Sequence, residues 1–277
     1  RLQGRLSRIR QMDRGDNARA LAVRSRVNRG TLSFGSEIPL FQDVAGQIRL
    51  DGTDILFEEM TGRIGASPFR LDGRITGYPL DAPSRYPFTA TLNPRPREVQ
   101  WLLGEAGERL QYSGASVLHL SGDGTTGDYR LTGAWDATAA AYQLPGILTK
   151  PAGVSNRIHA VLGFPPGSVR IQDMKFDLAA LSATLKGVIP LDRGGRLRLN
   201  IRTGALPIEQ MAPYVPRLKP YEPSGKIRLN LGARGGAGAE TLRWRGRISV
   251  ADAAFRPPAG LKPVRDLNGA LVLTGTG

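Results

Sequence analysis

The first limits on this chain of 277 residues come from residue types that it lacks. It contains no cysteine, so a disulfide framework and a thiolate metal site are both excluded. Its two histidines, His119 and His159, stand at no His or Glu spacing that suits zinc, and no metal site is predicted. No apolar run approaches the roughly 20 residues that a membrane-spanning helix needs. We therefore expect any targeting or anchoring segment to lie outside this chain.

Residues that could carry catalysis are equally sparse. No G-x-S-x-G nucleophile motif and no cysteine nucleophile are present. Glu58 and Glu59 are neighbours in a predicted strand, so their carboxylates point to opposite faces and cannot flank one bond. The segment from Gly122 to Gly127 matches the dinucleotide pattern G-x-G-x-x-G, but the residues after it alternate like a strand, whereas that fingerprint requires a helix. We predict a hairpin turn at this segment, no cofactor and no enzymatic activity.

Basic residues outnumber acidic ones, with 38 Lys and Arg against 24 Asp and Glu and a net charge of +14. Such an excess raises the question of a polyanionic partner. The arginines, however, alternate with apolar residues, as in Ile48-Arg49-Leu50 and Ile227-Arg228-Leu229, and do not form one dense patch. This spacing is typical of the solvent-facing side of a sheet. We predict a solvated face and no nucleic-acid partner. A module that binds polyanions through its arginine-rich face ranks third, behind the two functions given below.

Alternation of apolar and polar residues dominates the chain, in runs separated by Gly, Asp, Pro or Asn. This pattern predicts half-buried strands joined by tight turns in an antiparallel sheet. Two segments predict short helices instead, Arg97 to Leu110 with Val99, Leu102 and Leu103 on one face, and Pro207 to Val215. We expect each helix to cover the end of a section of the sheet. The clearest predicted strands are Gly46 to Leu50, Phe69 to Ile75, Val117 to Leu120, Tyr129 to Trp135, Leu197 to Ile201, Lys226 to Leu231, Leu242 to Val250 and Ala270 to Leu273.

The sequence repeats itself at a spacing of about 112 residues. Gly133 matches Gly246 and Tyr142 matches Phe255, both at an offset of 113. Such regularity is typical of stacked supersecondary units, none of which buries its apolar face alone. We predict one continuous array made of a partial repeat at 1–95, a full repeat at 96–206 and a partial repeat at 207–277. Further pairs at one or two such steps are Ser113-Gly114 with Ser224-Gly225, Met60 with Met174, and Asp43 to Gly52 with Asp266 to Gly275.

A sheet with one apolar face needs a second layer over that face, and two short helices cover little of it. The sheet can fold on itself around a closed core, or it can leave a trough in which acyl chains replace the missing layer. Alternating apolar positions of any β-sandwich would produce the same pattern. The predicted lining of the trough consists of Ile48, Leu50, Phe69, Leu71, Leu118, Leu120, Tyr129, Leu131, Leu197, Leu199, Ile201, Ile227, Leu229, Leu231, Leu242 and Trp244.

Three segments of the sequence resemble one known family. They are the glycine-punctuated strands from Met60 to Ile75, the segment from Val264 to Leu271, and Pro207 to Tyr214 followed by Ser224 to Ile227. They are similar to the AsmA-like family of bacterial envelope proteins, and the resemblance covers most of the chain. It implies a mainly β fold, an elongated, twisted antiparallel sheet folded into an open, taco-like hydrophobic groove with a few short helices.

The same resemblance implies a function. Members of this family are described as bridges that are anchored in the inner membrane, cross the periplasm and carry phospholipids towards the outer membrane. The implied partners are phospholipids or other acyl-chain lipids, with envelope proteins at the two ends of the array. An anchor would lie outside this chain. The alternative function is a structural or adhesive β-repeat scaffold of the cell envelope, which has a closed core and carries no lipid.

Overall fold

The chain is mainly β and antiparallel, as predicted. The computed structural model describes residues 2–3, 22–33, 35–36, 38–77, 83–192, 195–236, 242–257 and 262–275. None of the helices in these ranges is long and apolar enough to cross a membrane. The strands are β1 (Leu2–Gln3), β2 (Ala22–Leu32), β3 (Phe41–Asp51), β4 (Asp54–Ile64), β5 (Ser67–Ile75), β6 (Phe88–Leu92), β7 (Gln111–Gly114), β8 (Val117–Thr125), β9 (Asp128–Asp136), β10 (Ala140–Leu144), β11 (Leu148–Lys150), β12 (Asn156–Gly163), β13 (Ser168–Leu178), β14 (Leu181–Pro190), β15 (Leu197–Thr203), β16 (Leu206–Pro207), β17 (Ser224–Gly235), β18 (Arg243–Phe255) and β19 (Val264–Thr274).

Contacts divide the chain into two compact units. One consists of Arg1–Leu102 with Val117–Ala134, and the other of Leu103–Ser116 with Trp135–Gly277. These units are defined by contacts in space, whereas the repeats were defined by sequence similarity. The repeat boundaries at 1–95, 96–206 and 207–277 therefore stay a prediction.

In the first unit, each strand pairs with the next strand of the chain from β1 to β6, and β6 then pairs with β8, which is followed by β9. The segment from Gly122 to Gly127 lies at the β8–β9 connection, where β9 begins at Asp128. A strand and not a helix follows the glycines, which confirms the predicted hairpin and removes the structural context of a dinucleotide site.

In the second unit, the main ladder runs β12-β13-β14-β15-β17-β18-β19, and β16 pairs with the start of β17. A separate small sheet has the order β11-β10-β7. Lys150 at the end of β11 is only 1% exposed. Its ammonium donates hydrogen bonds to the carbonyl oxygens of Ala140, Thr138 at 2.9 Å and Pro151 at 3.1 Å. These backbone acceptors satisfy the buried cation, and no carboxylate within the described ranges forms a hydrogen bond with it.

The helices are shorter than the sequence predicted. Instead of one helix from Arg97 to Leu110, the chain forms α1 (Pro96–Leu103) and α2 (Glu105–Glu108). Val99 is fully buried, but Leu102 and Leu103 are 44% and 42% exposed, so the prediction of one buried apolar face is wrong beyond the first turns. Gly104, with a left-handed φ of 56°, separates the two helices.

The second predicted helix, Pro207 to Val215, is reduced to α3 (Ile208–Met211). Pro207 precedes it and pairs with Lys226 as the last residue of β16. A 3₁₀ turn follows at Lys219–Tyr221. The segment 207–221 contains four prolines, Pro207, Pro213, Pro216 and Pro220. Proline lacks the N–H that a longer helix would need.

Glu98 holds α1 against the turn between β4 and β5. Its carboxylate is buried and accepts hydrogen bonds from the Ser67 hydroxyl at 2.7 Å and the Ala66 N–H at 3.1 Å. The Ser67 oxygen in turn accepts a hydrogen bond from the Arg95 N–H at 2.8 Å. Each of these buried polar groups therefore has a partner, which removes the penalty of burying it.

Several strands contain β-bulges at which one residue takes a left-handed conformation. Asp43 in β3 has a φ of 52°, Glu59 in β4 a φ of 51°, Asp252 in β18 a φ of 51°, and Asp266 in β19 a φ of 56°. The registers of the corresponding strand pairs shift at these points. A bulge adds one unpaired residue, so the alternation of faces changes its parity there. Asp43 and Asp266, which the sequence alignment pairs, share this conformation.

Candidate functional site

The predicted lining residues of the first unit share one face of its sheet. Leu71 lies opposite Met60 on one side and Ala90 on the other, and Ala90 lies opposite Leu120. Residues directly opposite each other in antiparallel strands point to the same face. We call a set of residues that lie opposite one another across successive strands a row. The rows next to that of Leu71 are Gly62, Phe69, Leu92 and Leu118; Ile48, Phe57, Gly73, Phe88 and Gly122; and Leu50, Ile55 and Ile75.

Tyr129 of β9 extends this face beyond β8. Its ring stacks on the ring of Phe88, with centroids 6.5 Å apart and an interplanar angle of 9°. The Tyr129 hydroxyl donates a 2.7 Å hydrogen bond to the Tyr86 carbonyl oxygen. Burial, together with the charge of Asp123, raises the pKa of Tyr129 to about 12. The phenol is therefore neutral near pH 7 and adds an uncharged ring to the face.

Leu131 follows Tyr129 at the spacing of two residues that keeps side chains on one face of a strand. Two residues further on, a Cβ added to Gly133 would lie 3.4 Å from Leu120 Cδ2 and 3.9 Å from Leu118 Cδ1. All eight lining residues predicted in the first unit therefore belong to a single face.

The second unit repeats the arrangement. Ile201 lies opposite Leu185 and Leu231, and Leu231 lies opposite Gly246, which lies opposite Leu273. The neighbouring rows are Gly187, Leu199, Ala233 and Trp244; Leu229, Ile248 and Leu271; Leu197 and Gly235; and Ile227, Val250 and Gly269.

Leu242 is the exception among the predicted residues. The sequence placed it in a strand, but β18 begins at Arg243, and Leu242 precedes it outside the ladder. It is half-buried, and no strand pairing assigns it to the apolar face. The other seven predicted residues of the second unit share one face.

Exposure distinguishes this face from a packed core. Of the sixteen predicted residues, only Leu118 is buried, Trp244 is 38% exposed, and the other fourteen are half-buried. Inner-face residues of two tightly packed sheets are mostly buried. Large apolar residues at the edge of the second unit are still more open, with Leu271 at 59%. The apolar face is therefore only partly covered.

One group of buried residues lies near one end of the strands in the second unit. Leu178 and Leu181 face each other at the β13–β14 turn, and both are buried. Leu206 of β16 and Ile208 of α3 are also buried, as is Ala253 near the end of β18. Short elements thus close one end of the face. Farther along the ladder Leu199 and Leu231 are half-buried and Trp244 is exposed, although Ile171 and Ala233 of the same row as Trp244 are buried. This position of α3 agrees with the expectation that a short helix covers the end of a sheet section.

The structure adds residues to this face that the sequence analysis left out. In β4, Ile55 and Phe57 lie on it, and after the bulge at Glu59 the next residue on it is Met60. The bulge changes the parity from odd to even positions, so a strict period of two does not connect these residues. Left-handed residues in a strand carry no reliable sequence signal, although Asp at such positions is a hint. Other added residues are Ile75, Phe88, Leu92, Met174, Leu185, Ile248, Leu271 and Leu273.

The polar candidates for chemistry have ordinary contacts. Glu58 forms an ion pair with Arg49 at 3.1 Å, and the Glu59 N–H donates to Asp72 Oδ1 at 2.7 Å. The bulge at Glu59 also breaks the regular alternation from which opposite directions for Glu58 and Glu59 were predicted. His119 Nδ1 lies 3.1 Å from Thr91 Oγ1. Within the described ranges, no group of three His, Asp or Glu side chains could hold a metal ion.

Comparison with known proteins identifies no relative. No family model, no curated protein and no solved structure matches the chain.

Proposed function

We propose that the apolar face binds the acyl chains of phospholipids and conducts them along the array, as a segment of an AsmA-like bridge between the inner and outer membranes. The observation that carries the proposal is the partial exposure of thirteen half-buried apolar side chains that are aligned on the sheets of the two units, which a second protein layer would have buried. Acyl chains are the ligands that replace such a layer, since the sheet of each unit offers apolar contact along several neighbouring strands.

The rows of side chains run across the strands. In the second unit the ladder from β12 to β19 contains seven strands, and at a spacing of about 4.8 Å a row crosses roughly 29 Å of sheet. A lipid tail that lies along such a row meets leucine, isoleucine or methionine at most steps and the bare backbone of a glycine at one. No polar group interrupts the row of Met174, Leu185, Ile201, Leu231, Gly246 and Leu273.

Movement along the face follows from the nature of the contacts. Each buried methylene group contributes about 0.8 kcal/mol, and this attraction has no preferred direction. Neighbouring rows offer similar contacts, so a tail that leaves one row gains nearly the same energy in the next. A surface of this kind binds lipid without a deep trap, which is the requirement of a conduit.

The proposal includes the surroundings that the resemblance implies. The chain would lie in the periplasm of a bacterial envelope, be attached to the inner membrane through a segment outside this sequence, and meet other envelope proteins at the ends of the array. In this setting it would support outer-membrane biogenesis. No enzymatic step and no cofactor are needed for such a function.

Paired aspartates on the apolar face test the proposal. The double substitution Leu229→Asp and Leu231→Asp places two charges on the apolar face, at two half-buried positions of β17. We expect the wild-type chain to retain phospholipid after gentle purification from bacterial membranes and the double variant to lose it, because a carboxylate next to an acyl chain is strongly unfavourable. Lipid per chain would be measured by mass spectrometry, and the β signature by circular dichroism.

A matched variant controls for charge and fold. Thr89→Asp with Ala134→Asp introduces the same two charges at exposed positions of β6 and β9, on the face opposite the apolar one and away from the arginines of the second unit. This control should keep the lipid. A wild-type chain without phospholipid, or a Leu229→Asp/Leu231→Asp chain with undiminished lipid, would contradict the conduit, and a lipid-free wild type would favour the scaffold.

A further inference from the structure

The face opposite the apolar one carries a row of three arginines in the second unit. Arg198 of β15 lies directly opposite Arg234 of β17, which lies directly opposite Arg243 of β18. Side chains at such positions have Cβ atoms about 5 Å apart, and like charges directly opposite each other are destabilising. The alternating sequence pattern gave no sign of this row, because the register between strands brings the three arginines together.

More arginines surround the row. Arg245 and Arg247 follow Arg243 on the same side of β18, and Arg247 lies opposite Asn230, which lies opposite Arg202. All of these arginines are exposed. β15 and β17 contain no acidic residue, and the first one in β18 is Asp252, several residues beyond Arg247. We call Arg198, Arg202, Arg234, Arg243, Arg245 and Arg247 the arginine surface.

The arginine surface has no described carboxylate partner. The ion pairs of the second unit involve other residues, such as Lys186 with Asp173 and Arg256 with Glu222. In the first unit, by contrast, two exposed arginines have acidic partners: Arg63 pairs with Asp43, and Arg85 pairs with Asp123. A solvated face of the ordinary kind would mix both signs of charge, as the first unit does.

The surface is also concave. Two adjoining depressions, of about 630 Å³ and about 400 Å³, both include Arg198, Arg234 and Arg243 in their walls. The larger one also includes the side chains of Asn200 and Asn230, which add neutral hydrogen-bond donors. Several guanidinium groups around one depression provide the planar, two-pronged donors that phosphate oxygens accept.

We propose that the arginine surface is a binding site for phosphate groups with at least two negative charges, carried either by a lipid headgroup or by a soluble phosphate compound. An anion of this kind neutralises repulsion that nothing within the described residues relieves. The spacing of about 5 Å between neighbouring strands suits two phosphates or one phosphate shared by two arginines. This site lies on the opposite face from the proposed acyl-chain surface and does not depend on that function.

Nucleic acid fits this surface less well. Nucleic-acid sites combine basic residues with aromatic side chains on which bases stack. The aromatic residue nearest in β18, Trp244, belongs to the apolar face, opposite Ala233, and β15 and β17 contain no aromatic residue. The arginine surface therefore combines donors for phosphate oxygens with no aromatic ring from β15 or β17.

Inorganic pyrophosphate is the soluble probe for the first test. Its affinity for the whole chain would be measured by calorimetry at about 10 mM and about 150 mM NaCl, since the Debye length falls from about 30 Å to about 8 Å over that range. We expect binding that weakens with salt. Arg198→Gln, Arg234→Gln and Arg243→Gln combined should weaken it by about tenfold or more, because each lost guanidinium removes charge-assisted hydrogen bonds.

The matched control removes the same amount of charge elsewhere. Arg63→Gln, Arg85→Gln and Arg157→Gln combined alter three exposed arginines, each of which has an acidic partner. This control should bind pyrophosphate as the wild type does. Equal losses in the two triple variants would reduce the effect to net charge and overturn the proposal, as would a wild-type chain that binds no pyrophosphate at low salt. Thermal unfolding establishes that both triple variants are folded.

Vesicles distinguish the source of the phosphate. Phosphatidylcholine vesicles with phosphatidic acid would be compared with pure phosphatidylcholine vesicles by sedimentation. The site is assigned to headgroups if the wild type binds only the vesicles with phosphatidic acid and the Arg198/Arg234/Arg243 variant does not bind them. It is assigned to soluble phosphates if the wild type binds pyrophosphate but no vesicles. A single-stranded oligonucleotide that binds more tightly than both and depends on the same arginines would overturn the proposal. The Leu229→Asp/Leu231→Asp variant should keep pyrophosphate binding, so failure of one proposal leaves the other intact.

Discussion

Gly114 and Gly225, which are 111 positions apart, make the same close approach to a neighbouring strand. A Cβ on Gly114 would lie 2.9 Å from the Ala139 carbonyl oxygen, and one on Gly225 would lie 2.5 Å from the Asp252 carbonyl oxygen. Both glycines have a left-handed φ, of 87° and 100°. The residues just before them pair in equivalent ways, Ser113 with Ala141 and Ser224 with Ala254. The sequence repeat therefore corresponds here to a repeated backbone geometry.

Gly225→Ala is expected to destabilise the fold by about 1–3 kcal/mol, because alanine meets both the strained φ and the carbonyl of the facing strand. Urea unfolding followed by circular dichroism measures this as a lower midpoint at an unchanged slope. Gly204→Ala is the control, since nothing lies within 4 Å of a Cβ at Gly204. Equal midpoints for the two variants would mean that the close approach at Gly225 has no energetic weight.

Lys150→Met should destabilise the small sheet of the second unit. The substitution leaves the carbonyls of Thr138, Ala140 and Pro151 without their donor, and an unsatisfied buried acceptor costs about 1–3 kcal/mol. Thermal unfolding of the two chains at neutral pH would show the loss. Lys219→Met, at an exposed position, is the control. A variant as stable as the wild type would show that the ammonium contributes nothing net.

The difference in stability between the wild type and Lys150→Met should depend on pH. Burial lowers the pKa of Lys150 from its ordinary 10.5. The folded chain therefore binds fewer protons at this site than the unfolded chain between the lowered pKa and 10.5, and stability rises with pH across that window. We expect the free energy of unfolding of the wild type, measured relative to that of Lys150→Met, to increase as the pH rises towards 10.5. A constant difference would contradict the effect of burial.

Tyr129→Phe tests the polar end of the aromatic stack on the apolar face. The variant keeps the ring against Phe88 but loses the hydrogen bond to the Tyr86 carbonyl, a cost of about 0.5–1.5 kcal/mol near pH 7. The pKa of Tyr129 is raised from 10.0 to about 12, so its contribution is complete below pH 10.0 and is lost as the pH rises through about 12. The stability gap between wild type and variant should shrink over this window, as measured by chemical unfolding. Tyr221→Phe, at an exposed tyrosine, provides the comparison; a gap that widens with pH would refute the assignment.

Much of the fold could be predicted because side-chain alternation is a local property. The strand around Leu229 and Leu231 and the turn before Tyr129 follow from residues next to them in the chain. The helices were less predictable. Leu102 and Leu103 continue an apolar helical pattern, but Gly104 ends α1, and no neighbouring element buries them. Met60 was missed as part of the apolar face because the bulge at Glu59 shifts the parity, and a bulge depends on the partner strand.

The amino-acid sequence alone determined the strands, the apolar face and the opposite arginine-bearing face, since each depends on the period of two that any extended backbone imposes. Only the tertiary structure decided how far that apolar face is covered and which arginines meet. Exposure of Leu231 or Trp244 depends on whether another element packs over them, and the row of Arg198, Arg234 and Arg243 depends on the register between strands that are distant in the chain. Both are non-local properties, which no short window of sequence contains.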